Sequence, residues 1–163
     1  MTTPAPRSGS LACGYSVALA NVSEAMRKSP DQVPTDILAS FCAAIAPSLD
    51  FTTAVVIGDL DGPPRSLQWK REDVTSEELA RAEERAWDHF ASLSAPLFLD
   101  RLPTDEHGHY WTARPLAVPL YGVFYGEMRA PIGPTDQHLV KYMVARLSLA
   151  LYRSHITATT GRW

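Results

Sequence analysis

Cysteine is scarce in this chain, with two, Cys13 and Cys42, in 163 residues. Two cysteines cannot build the disulfide framework of a small secreted domain. Both fall in apolar helical patterns, where a free thiol behaves as a small buried hydrophobe. Runs of basic residues are also missing: Lys and Arg stand singly or in pairs such as Arg27-Lys28 and Lys70-Arg71. With a formal net charge of −3, the chain lacks the basic stripe that a nucleic-acid surface needs, so nucleic acid is not an expected partner. No stretch of about eighteen apolar residues exists, which excludes a spanning helix; a membrane is not an expected partner, and any membrane role would need another protein. Leu11-Ala12-Cys13-Gly14 resembles a lipoprotein cleavage site, but Thr, Pro, Arg and Ser precede it where an apolar segment is needed. The cytoplasm is the expected location. The chain has no Gly-x-Ser-x-Gly, no phosphate-cradling glycine loop and no dinucleotide fingerprint. No catalytic residue is assigned, no cofactor is indicated, and an enzyme is not expected.

What is present is the composition of one globular domain, 45% hydrophobic and 20% charged. Residues 1–9 are small, polar and Pro-bearing and read as a loose tail. Residues 10–156 read as a single domain and 157–163 as a second tail. From Ser10 to Met26, Leu11, Tyr15, Leu19 and Val22 recur about once per helical turn. Ser29-Pro30 ends that helix. Pro34 suits the first turn of a second helix with Ile37, Leu38, Phe41, Cys42 and Ile45 on its apolar face; Pro47 stops it. Phe51 to Leu60 is rich in β-branched residues and reads as a strand. Asp61-Gly62-Pro63-Pro64 is turn chemistry, and Ser66 to Arg71 alternates back with Leu67 and Trp69 on one face, completing a hairpin.

Thr75-Ser76-Glu77-Glu78 is a capping box. The helix it opens has Leu79, Ala82, Ala86, Phe90 and Leu93 on one side, and Glu77, Arg81, Glu84, Arg85 and Asp88 on the other. Pro96 to Leu99 is a short candidate strand, and Asp100 to His109 a polar loop. Trp111 to Leu120 and Val123 to Ala130 read as paired strands about a turn at Tyr121-Gly122. Thr135 caps a last helix, with Asp136 favourable in its first turn, running to about His155. Its Leu139, Val140, Tyr142, Met143, Val144, Leu147, Leu149 and Leu151 are more than one buried stripe requires. Hairpin-joined strands with helices gathered at both chain ends predict an α+β fold around an antiparallel sheet.

That order resembles the GAF domain family. The resemblance rests on Pro115-Leu116-Ala117-Val118-Pro119-Leu120, then Gly122, then Tyr125-Gly126-Glu127-Met128, then Pro134-Thr135-Asp136, then Leu149-Ala150-Leu151-Tyr152-Arg153. These occur in the family's order over about fifty residues, and the order of elements fits from Asp36 onward. Glu127 departs from the pattern, which more usually has an apolar residue there. PAS domains share parts of the layout. The resemblance implies a sheet of about six antiparallel strands with helices on both faces and the terminal helices packed together. It also implies pairing of those helices with a second copy. A homodimer through Leu11, Tyr15, Leu19, Val140, Val144, Leu147 and Leu151 is therefore expected, and Leu147→Asp is expected to break it with the sheet intact; the plain alternative is that the two terminal helices pack on each other within one chain.

In GAF relatives a ligand lies between the sheet and its covering helix and loop. Here that cover is helix Thr75–Leu93 and loop Asp100–Tyr110, and the implied ligand-binding residues are Trp69, Trp87, His89, Phe90, Phe98, Tyr110, Trp111, Arg114, Phe124 and Glu127. The plain alternative is that these aromatics fill a closed core. Asp105-Glu106-His107-Gly108-His109 could ligate a divalent ion, but such loops are common without metal and no metal is assigned. One GAF branch reduces free methionine sulfoxide with cysteines around the pocket; Cys13 and Cys42 lie far in sequence from the pocket segments. No Cys follows Ser66 to attach a pigment, and the Asn-Lys-x-Asp type signature of cyclic-nucleotide relatives is missing. The expected function is small-molecule sensing, with output through a separate effector protein. A ligand-free interaction module is the alternative.

Overall fold

The computed structural model describes residues 19–27, 33–59, 63–93, 110–131 and 134–160. Four helices and four strands occupy them. Helical residues 19–27 (α1) are followed by α2 (Pro34–Ile45), β1 (Phe51–Asp59), β2 (Arg65–Lys70), α3 (Ser76–Ala91), β3 (Tyr110–Pro115), β4 (Tyr121–Met128) and α4 (Pro134–Thr160). The fold is α+β. All strand pairs are antiparallel, in the order β2-β1-β4-β3. The expected strand Pro96–Leu99 lies outside the described residues, as do Leu11 and Tyr15; α4 begins at Pro134, so Thr135, expected as its cap, lies inside the helix.

β1 is central and its residues Phe51 to Ile57 are all buried. An inner strand covered on both faces reads as a continuous apolar run rather than an alternation, which is how Phe51 to Leu60 reads in the sequence. β2 and β3 are the outer strands among the described residues. The hairpin from β3 to β4 differs from the expected one. β3 stops at Pro115 and the chain turns through residues 116–120, so Tyr121 opens β4 instead of forming the turn. Pro115 and Pro119 have no N–H for a ladder. Two bonds close the turn, Leu116 N–H to Gly122 O at 2.9 Å and Leu120 N–H to Ala117 O at 3.0 Å.

The sheet separates two apolar layers. On one face α1, α2 and α4 enclose the main core with Ala54 and Val56 of β1 and Phe124 and Met128 of β4. Phe124 meets Phe41 and Phe51 edge to face, with ring centroids 5.5 Å apart in both pairs, the geometry that aromatic quadrupoles favour. Gly126 permits this, and Gly122 lets β4 lie close to β1. A Cβ on Gly126 would lie 2.6 Å from the Phe51 ring, and one on Gly122 would lie 2.2 Å from the Ile57 carbonyl oxygen. On the other face, among the described residues, α3 covers a much smaller cluster: Val55, Ile57, Val123 and Tyr125 of the sheet against Ala82 and Ala86. The Thr75 hydroxyl caps α3 by accepting from Glu78 N–H at 3.1 Å, as the capping box predicts.

α4 runs past His155 to Thr160. Nothing between Ile156 and Thr160 breaks a helix, and the first glycine is Gly161. No helix of the described residues is long and apolar enough to cross a membrane.

Candidate functional site beneath helix α3

Strand alternation decides which side chains face α3. Val55 and Ile57 pack there, so Thr53 shares their face. Pairing then brings Glu127 beside Thr53 and Trp111 beside Glu127, and Tyr125 beside Val55. The register of β1 against β4 shifts between Phe51 and Thr53. This bulge turns the Thr52 hydroxyl onto the Glu127 carbonyl oxygen, to which it donates at 3.1 Å. Bulges of this kind re-aim neighbouring side chains.

The Glu127 carboxylate is almost fully buried and lies between two donors. Arg85 Nη1 of α3 donates to Glu127 Oε2 at 2.7 Å, and the Tyr125 hydroxyl donates to the same oxygen at 2.6 Å. Side-chain exposure is 30% for Arg85 and 6% for Glu127, so the carboxylate is desolvated while the guanidinium keeps some water. Burial, then the neighbouring Glu127 charge, pushes the Tyr125 phenol far above its usual range; it remains a proton donor. The Thr53 hydroxyl on the same face is buried and, among the described residues, has no hydrogen-bond partner.

Rings close the other side. His89 stacks on Tyr125 with centroids 5.3 Å apart, and lies 4.5 Å from the Trp111 ring. Burial lowers the His89 pKa against a smaller upward pull from Asp88, which favours the neutral imidazole. Phe90, the next residue of α3, sits edge to face between Trp87, at 5.8 Å, and Tyr121, at 5.6 Å. The result is a half-buried aromatic wall over a carboxylate at the β3 edge. It can accept a hydrogen bond and stack a flat group.

Four of the expected ligand-binding residues, His89, Phe90, Trp111 and Glu127, meet here. Trp87 stands at the rim, 36% exposed, with its indole N–H donating to Glu83 at 3.2 Å. Four others do not meet them. Trp69, Tyr110 and Phe124 pack against the main core on the opposite face. Arg114 is buried on that face too, where its Nη2 donates to the Gln137 carbonyl oxygen at 3.0 Å. The reason is the period of two: Trp111 and Arg114 differ by an odd step, so one sheet face cannot hold both. Phe98 lies outside the described residues, as does the Asp105–His109 loop. Arg85, Tyr125 and Thr53 were not foreseen. Arg85 precedes His89 by one helical turn and Tyr125 precedes Glu127 by two strand residues, so both sit on the faces of residues that were foreseen.

No protein-family model matches the chain, and no curated protein does either. The site therefore has to be judged on its own chemistry.

The remaining expected sites fall elsewhere. Cys42 is buried in the main core, and burial pushes its thiol far up; the sheet separates it from α3. Cys13 lies outside the described residues. Val140, Val144, Leu147 and Leu151 are buried in the chain's own core. They cannot line a dimer interface while α4 stays packed, and Leu147→Asp would attack the core rather than a surface. Leu19 is half-buried against that core. A separate cleft of about 240 Å³ opens beside Asp50, Arg71, Arg129 and Asp136. Arg71 bonds both Asp50 and Asp73, and Arg129 bonds Asp73 at 2.8 Å. The two arginines hold the Asp73 carboxyl well below the usual carboxylate range.

Proposed function

We propose that this chain is a cytoplasmic, small-molecule-sensing regulatory domain of the GAF kind, with its ligand held under α3. The observation that carries the reading is the buried Glu127 carboxylate, held by Arg85 and Tyr125 under a ring wall, with the cross-strand Thr53 hydroxyl unpartnered among the described residues. A helix meant only to cover a sheet is best packed with apolar groups, because a buried ion pair adds little net stability. α3 instead adds this polar group to a small apolar contact made by Leu79, Ala82, Ala86 and Phe90, an attachment that local opening can release. The ligand class that fits is a planar heterocycle: its face would stack on Trp111 and His89, and an N–H would meet Glu127. Ligand sites combine apolar walls with a few placed polar groups in this way. Binding would shift α3, and the change would pass through the sheet to a separate effector.

Native mass spectrometry of the protein purified from its native cells tests this directly. Retained non-covalent mass that disappears in Trp111→Ala is expected. A bare protein whose tryptophan fluorescence also ignores a panel of planar heterocycles overturns the reading. A second reading, a ligand-free interaction module, is favoured by one observation: Tyr142, Leu149 and Ile156 of α4 are large, apolar and exposed.

A further inference from the structure

α4 buries one side and exposes the other. On the outer side Tyr142, Leu149 and Ile156 are 62, 41 and 38% exposed, with Ala145 exposed and Tyr152 half-buried between them. These five positions alternate by three and four residues. That is the rhythm of a seam that a second helix fills. From Tyr142 to Ile156 the seam runs about 21 Å, at 1.5 Å per residue. Its borders carry one sign of charge, with Lys141 along one flank and Arg146 and Arg153 along the other, all exposed. From Gln137 to Thr160 the chain has no Asp or Glu. Lys141, Arg146 and Arg153 make no ion pair with any described residue. A basic border is thus a local feature of a chain whose net charge is −3.

Charge selects the occupant. In a parallel two-fold pair the seam sets Lys141 against the partner copy's Arg146; in an antiparallel pair it sets Arg146 against the copy's Arg153. Both place like charges together, which opposes self-association. An anionic bilayer is matched by clusters of about four to eight basic residues beside a broad apolar face. Here the border holds Lys141, Arg146 and Arg153 about a stripe only one seam wide. We infer that the outer face of α4 docks an acidic amphipathic helix of a partner protein. The partner's apolar side chains seat among Tyr142, Leu149 and Ile156, and its carboxylates meet Lys141, Arg146 and Arg153. This goes beyond the ligand reading and stands on α4 alone, whether or not anything binds under α3.

The probe is a synthetic helix of about four heptads, with Leu at the seam positions and Glu at the flanks, beside a twin carrying Lys at the flanks. Fluorescence anisotropy on the ligand-free full chain should show the Glu peptide binding at least about tenfold tighter than the Lys twin, and weakening as salt rises. Leu149→Asp should abolish binding with the unfolding midpoint retained. Arg146→Glu with Arg153→Glu should reverse the preference between the peptides. Failure of both peptides to bind, or equal binding of both, overturns the inference. So does a preference unmoved by charge reversal. Two further results overturn it in favour of other occupants: a dimer in sedimentation that Leu149→Asp dissociates, or Leu149-dependent binding to vesicles of phosphatidylcholine and phosphatidylserine.

Discussion

The Arg85 guanidinium and the Glu127 carboxylate meet at 2.7 Å although 42 residues separate them in the chain. One belongs to the covering helix and the other to an inner strand, so the bond is where α3 is tied to the sheet by charge rather than by apolar area. Arg85→Met leaves the carboxylate buried with Tyr125 as its remaining described donor. A loss of about 1.5–3 kcal/mol is expected, the range for hydrogen bonds to charged groups, kept low by the water Arg85 retains. Urea unfolding should show a lower midpoint at an unchanged slope. Arg85→Met with Glu127→Met should recover most of the loss; a double variant that merely sums the two single losses would show that the groups are not coupled.

His89 sets a pH dependence. Burial lowers its folded pKa beneath the usual 6.5, so the unfolded chain binds the proton more readily. The stability that comes from keeping the ring neutral is complete above pH 6.5 and is lost as pH falls through the folded value. Asp88, Arg85, Glu127 and the Tyr125 hydroxyl are the charged and titratable groups around it. Between pH 7.5 and 5.5 the protein should lose more stability than His89→Gln does, by a small margin because the ring is only partly buried. Equal losses in paired urea titrations would remove His89 from this role.

The two β4 glycines should differ in cost. An added Cβ at Gly122 meets backbone, the Ile57 carbonyl oxygen at 2.2 Å, whereas at Gly126 it meets the Phe51 ring at 2.6 Å. Backbone in a central ladder cannot move aside, but a ring can rotate at a cost of about 1–3 kcal/mol. Gly122→Ala should therefore fail to give a folded protein, and Gly126→Ala should fold with a lowered melting point. Circular dichroism melts of the two variants would read this; the reverse ranking would contradict the register of β1 on β4.

The α3 cap gives the mildest test. Thr75→Ala removes the acceptor for Glu78 N–H and should cost about 1 kcal/mol. Hydrogen exchange should quicken at the start of α3 and leave β1 unchanged, as expected if the helix opens separately from the sheet. Uniform quickening in both elements would mean that they open together.

The elements of this fold were readable where a single local rule governs. The capping box placed the start of α3, and β-branched crowding placed β1. The apolar face Leu79, Ala82, Ala86 and Phe90 faces the sheet as its spacing predicts. What sequence could not supply was facing. Aromatic residues near one another in the chain, Tyr110 and Trp111, point to opposite layers, because a one-residue step crosses the sheet. Arg85 read as part of a solvated charged side; only the strand pairing that delivers Glu127 under α3 gives it a buried partner. On α4, the richness of apolar residues signalled two partners, but Val140, Val144, Leu147 and Leu151 serve the chain's own core. The residues left for a second partner are their neighbours on the helix, and only a count around the axis after packing separates the two sets.

The strand order has a consequence for synthesis. β1 lies between β2 and β4, and the Thr52 hydroxyl bonds a carbonyl 75 residues further along. During translation β1 emerges with β2 as its one available neighbour in the sheet, and its second row of N–H and C=O groups waits for β4. At about 5–20 residues per second the wait lasts on the order of several seconds. Throughout it, a strand apolar on both faces shows an open edge. A nascent or truncated chain ending before Tyr121 therefore carries β1 with one edge open, and β4, from the C-terminal part of the sequence, is what closes it.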